Sequence, residues 1–286
     1  MSETKALATV PPKTYALTQY DEAQLKEVVE INLGGEQSIT EFDLTRIKIP
    51  SGGGIAFNVE SADGADSSKD VTGVVVAHQT RRAYWEKAYG EGEDGGGPPD
   101  CWSPDGVTGY GTMAAKCGGK CASCPMAQFG SAKDKGGKPA KGQACAQKRA
   151  LFVMDKDSIL PAVVSLPPTS LQPFKAFLTN LISKRLPITG VVTKITLKKE
   201  KNSGGTEYAE CVFAAVGALS PEETKIMTGY GKMFGTMFRP TPPNAAEMNR
   251  PGNDTKPAGD APPPNVPGWT PAPKKPGFSG EEANPT

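Results

Sequence analysis

Five cysteines crowd into 45 residues, at positions 101, 117, 121, 124 and 145, within a segment rich in Gly and Lys and poor in core-forming side chains. A segment of that kind has little apolar surface to fold around, so a crosslink is the strongest constraint available on its shape. Cys121-Ala-Ser-Cys124 is a CxxC knuckle whose two thiolates can reach one tetrahedral ion, and Gly118 and Gly119 beside it let the backbone turn tightly. Cys101 stands 20 residues before the knuckle and Cys145 stands 21 after it. Those distances suit a closed structural zinc site with four cysteine ligands. Cys117, four positions before Cys121, is also at a permissible ligand spacing. The expected ligands are therefore Cys101, Cys121, Cys124 and Cys145, with Cys117 as surplus or alternative. The competing expectation is a loop of unliganded thiols. A zinc ion held by four thiolates has no open position, so such a site is scaffold and not catalyst. The sixth cysteine, Cys211, lies in EYAECVFAAV and is expected to be an ordinary core thiol.

Hydrophobic residues make up 37% of the 286 positions, while Gly (33) and Pro (27) are in excess, so the folded core is smaller than the length suggests. No apolar run approaches the ~18–20 residues of a membrane span, and the N-terminal MSETKALATVPPK lacks the apolar centre of a secretory signal. The expectation is a soluble, cytoplasmic chain, where six cysteines serve as metal ligands or free thiols before disulfides. The single histidine, His78, argues against His-based triads and metal sites, and its place in VVVAHQT fits a hydrogen-bonded strand residue.

The net charge of +1 conceals a segregation. Residues 1–100 carry 9 basic and 17 acidic side chains, a net of −8. Residues 101–150 carry 8 and 2, and residues 151–200 carry 7 and 3, so the middle hundred reach +10. A localised basic region is the footprint of a polyanion site, and its plain alternative is a solvated surface.

The pattern predicts a loose arm over 1–20, a short helix from Asp21 to Val29 with Asp21 as N-cap, and an irregular strand within 41–50. Ile55–Val59 is a further candidate strand, and 71–85 reads as one bent strand or two consecutive ones. After a flexible break at 90–99 and the cysteine block, strands are expected at 149–154 and 162–166. Leu171, Phe174, Phe177, Leu178, Leu181 and Ile182 follow the spacing of one buried helix face, with Ser170 as the expected cap. Residues 188–199 and 207–216 alternate around KNSGG as a hairpin, and Ser220 opens a helix reaching about Met237. From 240 to 286 there are 13 prolines in 47 residues, which predicts a disordered tail.

Arg81-Arg82-Ala83-Tyr84-Trp85 sets cations beside aromatics, with Lys87 following. In a strand, Arg82 and Tyr84 share one face and Arg81 and Trp85 the other; the expectation places Arg82 and Tyr84 in a groove and Trp85 in the core. Lys148, Arg149 and Phe152, with Lys194 and Lys198, would extend the groove. Single-strand binders combine such a basic groove with stacking aromatics, at roughly 1–3 kcal/mol per base.

VVVAHQTRRAYW, CWSPDG, CASCPMAQFGS, GQACAQKRALFV and VVSLPPTSLQPFKAFLTNL follow one another in order. Over roughly residues 40–218 they resemble a family of bacteriophage-type single-stranded DNA-binding proteins with a cysteine-rich insertion. The resemblance implies an OB-like barrel and matches Cys101, Cys121, Cys124 and Cys145 to the family's cysteines, with Cys117 departing from the pattern. The fold expected is mainly β (α+β): a five-stranded OB-like barrel over 21–239, with a zinc-ribbon-like insertion at about 98–148, an interposed helix and a disordered tail. The function expected is non-enzymatic binding of single-stranded DNA, or RNA, in phage replication or recombination, alongside proteins of those processes. If phage-encoded, the chain would work in the bacterial host's cytoplasm. The terminal EEANPT lacks an acidic, Phe-ended tip, so the tail implies no docked partner. No phosphate-binding GxxxxGK[ST] loop or GxSxG elbow supports an enzyme. The competing expectation is a protein-interaction adaptor that recruits partners through its zinc module and Pro-rich tail.

Overall fold

The computed structural model describes residues 22–33, 43–50, 53–61, 64–86, 99–133, 137–201, 205 and 207–237. The chain divides into a unit Met1–Gly252 and a unit Asn253–Thr286, and every described residue belongs to the first. The expected arm over 1–20, the Asp21 cap, Lys87 and the Pro-rich tail lie outside the described residues.

The fold is mainly β, as expected, but the sheet is larger than five strands. Helix α1 (Glu22–Leu33) precedes β1 (Arg46–Lys48), β2 (Phe57–Ser61), β3 (Gly64–Ser68) and the long β4 (Asp70–Tyr84). Strand β5 (Cys101–Ser103) and the five-residue α2 (Thr112–Lys116) belong to the cysteine block. Then come β6 (Ala146–Met154), β7 (Ala162–Leu166), α3 (Pro168–Ser183), β8 (Val191–Lys201), β9 (Glu207–Ala218) and α4 (Pro221–Met237). The nine strands form one curled, mixed sheet in the order β3-β2-β1-β7-β6-β4-β8-β9, with β5 paired to β4. The β1–β7 pair is parallel and the other pairs are antiparallel. Among the described residues the two ends of that order do not pair with each other, so the sheet is a half-barrel; the expectation was an OB-like five-stranded barrel.

β4 is the axis of the fold. It runs unbroken where one bent strand or two were expected, pairing first with β8 through Asp70–Gly73 and then with β6 through Val74–Ala83. A register shift between Val75 and Ala77 supplies the bend. Strand alternation gives the sheet two apolar faces. On one, Val74, Val76, Phe152 and Met154 pack with Met227, Tyr230 and Phe234 of α4. On the other, Val75, Leu151, Val153 and Ile195 pack with Phe57, Phe174 and Cys211. Cys211 is fully buried, so the expected core thiol is observed.

The two long helices take their places for different reasons. Ser220 and Glu223 form a reciprocal capping box at α4, Ser220 N–H donating to Glu223 Oε2 at 3.0 Å and Glu223 N–H to Ser220 Oγ at 3.2 Å. Farther along α4, Gly231 lies against the Val76 carbonyl so closely that any Cβ would collide with it. Gly231 is thus a packing device of the helix–sheet contact. In α3 the expected cap is corrected: Pro167 holds the N-cap position, and Ser170 is buried in the first turn. Its hydroxyl accepts the Cys211 backbone N–H at 2.9 Å, so it ties α3 to the edge strand β9. Helix caps and strand edges present the same orphan donor, and here the strand edge captures the serine.

Candidate metal centre and nucleic-acid interface

The cysteine block folds as a small module seated on the end of β4. β5 continues the sheet there, with Arg82, Ala83 and Tyr84 opposite Ser103, Trp102 and Cys101. A tight turn follows, in which Asp105 accepts hydrogen bonds from Ser103 Oγ at 2.9 Å, Val107 N–H at 2.8 Å and Thr108 N–H at 2.9 Å. Burial opposes ionisation of Asp105, but those donors prevail and hold its carboxyl below the usual range. Gly106 in this turn has φ +74°, and a Cβ there would run into the Thr80 side chain of β4. Trp102 and Tyr110 then exchange backbone hydrogen bonds at 2.9 and 2.8 Å and face each other with ring centroids 5.3 Å apart.

Backbone bonds gather the cysteines. Cys121 N–H donates to Val107 O at 2.9 Å, Cys124 N–H to Cys121 O at 3.3 Å, and Cys145 N–H to Met126 O at 2.8 Å. The last of these brings a cysteine 21 residues away onto the knuckle. Cys101, Cys117, Cys121, Cys124 and Cys145 all line one cavity of about 20 Å³. Burial pushes the Cys101 thiol up to about 11, and the sulfurs of Cys121, Cys124 and Cys117 add to that rise. Burial pushes Cys145 up to about 12; Arg82 opposes the rise, and Cys101, Cys121 and Cys124 reinforce it.

Among the described residues no group of three or more His, Cys, Asp or Glu side chains stands in metal-ligating geometry. The thiols are gathered around a common space without being drawn to one point. Chemically the residues fit a soft cation: five sulfurs and no carboxylate line the cavity. Its volume is about that of one water-sized sphere. Cys117 lines the same cavity as Cys124, so the surplus cysteine stands among the expected ligands and not apart from them.

The residues expected to line a nucleic-acid groove are brought to several different places. Phe152 is 1% exposed, in the core under α4, so its ring is not available for stacking. Lys148 is buried opposite Arg81 in the β4–β6 ladder. Burial, with the Lys48 charge adding, pulls its ammonium down to about 7. Strand parity explains both corrections, because a residue's face is set by the ladder and not by its charge. Arg149 is half-buried, donating to Thr80 Oγ1 at 2.9 Å and lying 5.6 Å from the Phe174 ring centre. His78, on the same strand as Thr80, meets Phe174 edge-on at 5.5 Å. Burial, then the Arg149 charge, lowers its pKa. Arg82 turns toward the cysteines, with Nη2 on Gln147 Oε1 at 2.7 Å.

Lys194 pairs with Asp70 at 3.0 Å, and Lys198 pairs with Glu200 at 2.8 Å and Glu210 at 2.7 Å. Those carboxylates raise the Lys198 ammonium above its ordinary range. Arg81 and Tyr84 remain half-buried on β4, and Trp85 is also half-buried, not a core residue as expected.

The module itself shows what the sequence reasoning passed over. Phe129 is 82% exposed and Tyr110 is 48% exposed. Lys116, Lys120, Lys133, Lys138 and Lys141 are exposed on the same module. The available signal was an aromatic residue between Gln128 and Gly130 in a segment with no apolar partner to receive it.

A second concavity, of about 790 Å³, runs between α3 and β9, lined by Ala176, Phe177, Lys184, Phe213 and Val216 among others. Comparison with family models, with curated proteins and with solved structures finds no match to this chain.

Proposed function

We propose that this protein binds single-stranded DNA with little sequence preference, through the cysteine module, as a non-enzymatic component of phage replication or recombination. One observation carries the reading: exposed Phe129 and Tyr110 stand on a module whose segment, 101–150, has 8 basic residues against 2 acidic ones. Lysines neutralise phosphates, and a ring with an exposed face accepts any base by stacking. In this reading the curled half-barrel is an OB-like platform, and the module is a zinc-stabilised insertion between β4 and β6. Zinc would be held by cysteine thiolates and would supply only a crosslink, with no open position for chemistry. Phosphate contact falls to the module's lysines and stacking to its aromatics. Arg81 and Tyr84 sit at the end of β4, where the strand meets β5 of the module. The resemblance in VVVAHQTRRAYW through VVSLPPTSLQPFKAFLTNL supports the same assignment.

Fluorescence anisotropy with an unstructured oligonucleotide tests it. Micromolar or tighter binding that collapses with added salt is expected, and no binding at low salt overturns it. Phe129→Ala removes a ring that is 82% exposed, so the fold should be unaffected. A stacked ring is worth roughly 1–3 kcal/mol, and affinity should fall about 5- to 150-fold. The competing reading is an adaptor that recruits protein partners through its zinc module and Pro-rich tail; the groove between α3 and β9, where Phe177 and Phe213 are stacked at 5.8 Å, adds a further surface to it.

A further inference from the structure

Arg82 carries a positive charge from the sheet into the wall of the thiol-lined cavity. Its Nη2 is satisfied by Gln147 Oε1 at 2.7 Å. Its Nε and Nη1 are sealed from solvent and have no hydrogen-bond partner among the described residues. A guanidinium stays charged at any pH a protein survives, so deprotonation offers no relief. Two unmade charged donors in a sealed site are costly, and such groups are found with an anionic partner. Among the described residues no carboxylate lines this cavity; the groups that share it with Arg82 and can carry negative charge are the five thiols. No inorganic anion is needed to supply that partner, because five thiols already line the cavity.

Zinc with four thiolates is itself an anion, with a net charge of about −2, and burying it without a counter-charge is unfavourable. We propose that Arg82 is the buried counter-charge of a four-thiolate metal centre made by Cys101, Cys121, Cys124 and Cys145, its free N–H groups donating to the thiolates, with Cys117 outside the coordination shell. The inference rests on the zinc reading above and goes beyond it in assigning a positioning residue and in choosing among five cysteines. Two observations separate Cys117 from the set. Cys145 is buried with its N–H on Met126 O beside the knuckle, two residues before the Gln147 that pairs with Arg82. Cys117 is only half-buried and caps the C-terminus of α2, its N–H donating to Met113 O and Ala114 O within that helix and not to the knuckle. Gln147 acquires a role too, since it is two residues from Cys145 and holds the guanidinium from behind. The assignment also removes Arg82 from the nucleic-acid surface.

The test uses the full chain, its zinc content and its cobalt-substituted spectrum. Wild type should carry one zinc per chain, and cobalt should give the intense visible and near-ultraviolet bands of a tetrahedral thiolate site. Arg82→Gln should keep the one-metal stoichiometry but weaken affinity, measured against a competing chelator, by about 10- to 100-fold. Gln147→Ala, which frees the guanidinium without removing it, should weaken affinity several-fold and serves if Arg82→Gln does not fold. Cys117→Ser should retain the four-thiolate spectrum, whereas Cys145→Ser should lose it. Zinc in wild type with unchanged affinity in Arg82→Gln overturns this inference and leaves the zinc reading standing. Loss of the spectrum in Cys117→Ser with retention in Cys145→Ser overturns the ligand choice. A wild-type chain that takes up neither zinc nor cobalt overturns both, while nucleic-acid binding is decided independently by the oligonucleotide titration.

Discussion

The curled sheet and the cysteine module lie side by side along β4, yet opposite means hold them together. The sheet is covered on two faces, by α4 over Phe152 and Met154 and by α3 over Leu151 and Val153. The module buries little beyond Ala114, Ala127 and two of its cysteines. Short turns, side-chain caps such as Asp105, and a shared thiol-lined cavity take the place of an apolar core. Burial of large side chains stabilises by roughly 1.5–3 kcal/mol each, so the first region has a reserve that the second lacks. The module should therefore be the part that depends on a ligand, and the sheet the part that does not.

Metal removal is the sharpest way to break that contrast. A strong chelator, or Cys124→Ser, should expose the module around residues 99–145 to proteolysis and weaken oligonucleotide binding by at least tenfold. The sheet's circular dichroism and cooperative unfolding should persist. If chelation unfolds the whole chain, the two regions are one cooperative unit and the contrast is wrong. Next in size is the converse experiment on the sheet. Phe174 is fully buried, touches His78 and Phe213 and lies beneath Arg149. Phe174→Ala should cost about 3–5 kcal/mol in denaturant unfolding, while zinc content stays at its wild-type value.

How much of this was legible in the sequence depends on what fixed each element. β6, β7 and the β8–β9 hairpin were legible because Val, Ile, Leu and Phe in those runs meet two apolar faces. The α3 face was legible for the same reason through Phe174 and Leu181, but Ile182, expected on that face, is 73% exposed in the helix's last turn. The β2–β3 hairpin was only half legible: Phe57 and Val59 signal a strand, but GADSS has no apolar pattern and is a strand only because it pairs with β2. The convergence of the cysteines follows from their spacing. The turn of Arg82 toward them does not, since charge adjacent to Tyr and Trp looks the same whether it faces solvent or sulfur. Lys148-Arg149 misled for a related reason: alternate residues of a strand face opposite ways, and the ladder buried Lys148.

Lys148 offers a pH-dependent test of moderate size. Its folded pKa lies near 7, below the ordinary 10.5, because burial penalises the ammonium and Lys48 adds to that penalty. The unfolded chain thus binds more protons than the folded one between about pH 7 and 10.5, so stability rises with pH across that window. The destabilisation is fully present below pH 7, where the lysine is charged in both states. Lys148→Met should raise the melting temperature most at pH 6–7 and flatten its rise toward pH 9. An equal shift at both pH values would show that Lys148 is not charged at a cost in the fold.

The smallest effect separates the two regions as binding surfaces. Lys198 is occupied by Glu200 and Glu210, and a lysine shared by two carboxylates has little attraction left for a phosphate. Lys141, exposed on the module, lies in a segment of net positive charge. For a single strand, each phosphate that is no longer neutralised lowers the steepness of log K against log salt by about 0.7. Lys141→Ala should therefore reduce that slope by up to about 0.7 and weaken binding a few-fold at low salt. Lys198→Ala should leave the slope unchanged and the affinity within about twofold, because it removes an ion pair and leaves every phosphate partner in place. The reverse ranking would return the interface to the β8–β9 face and make the module a scaffold alone.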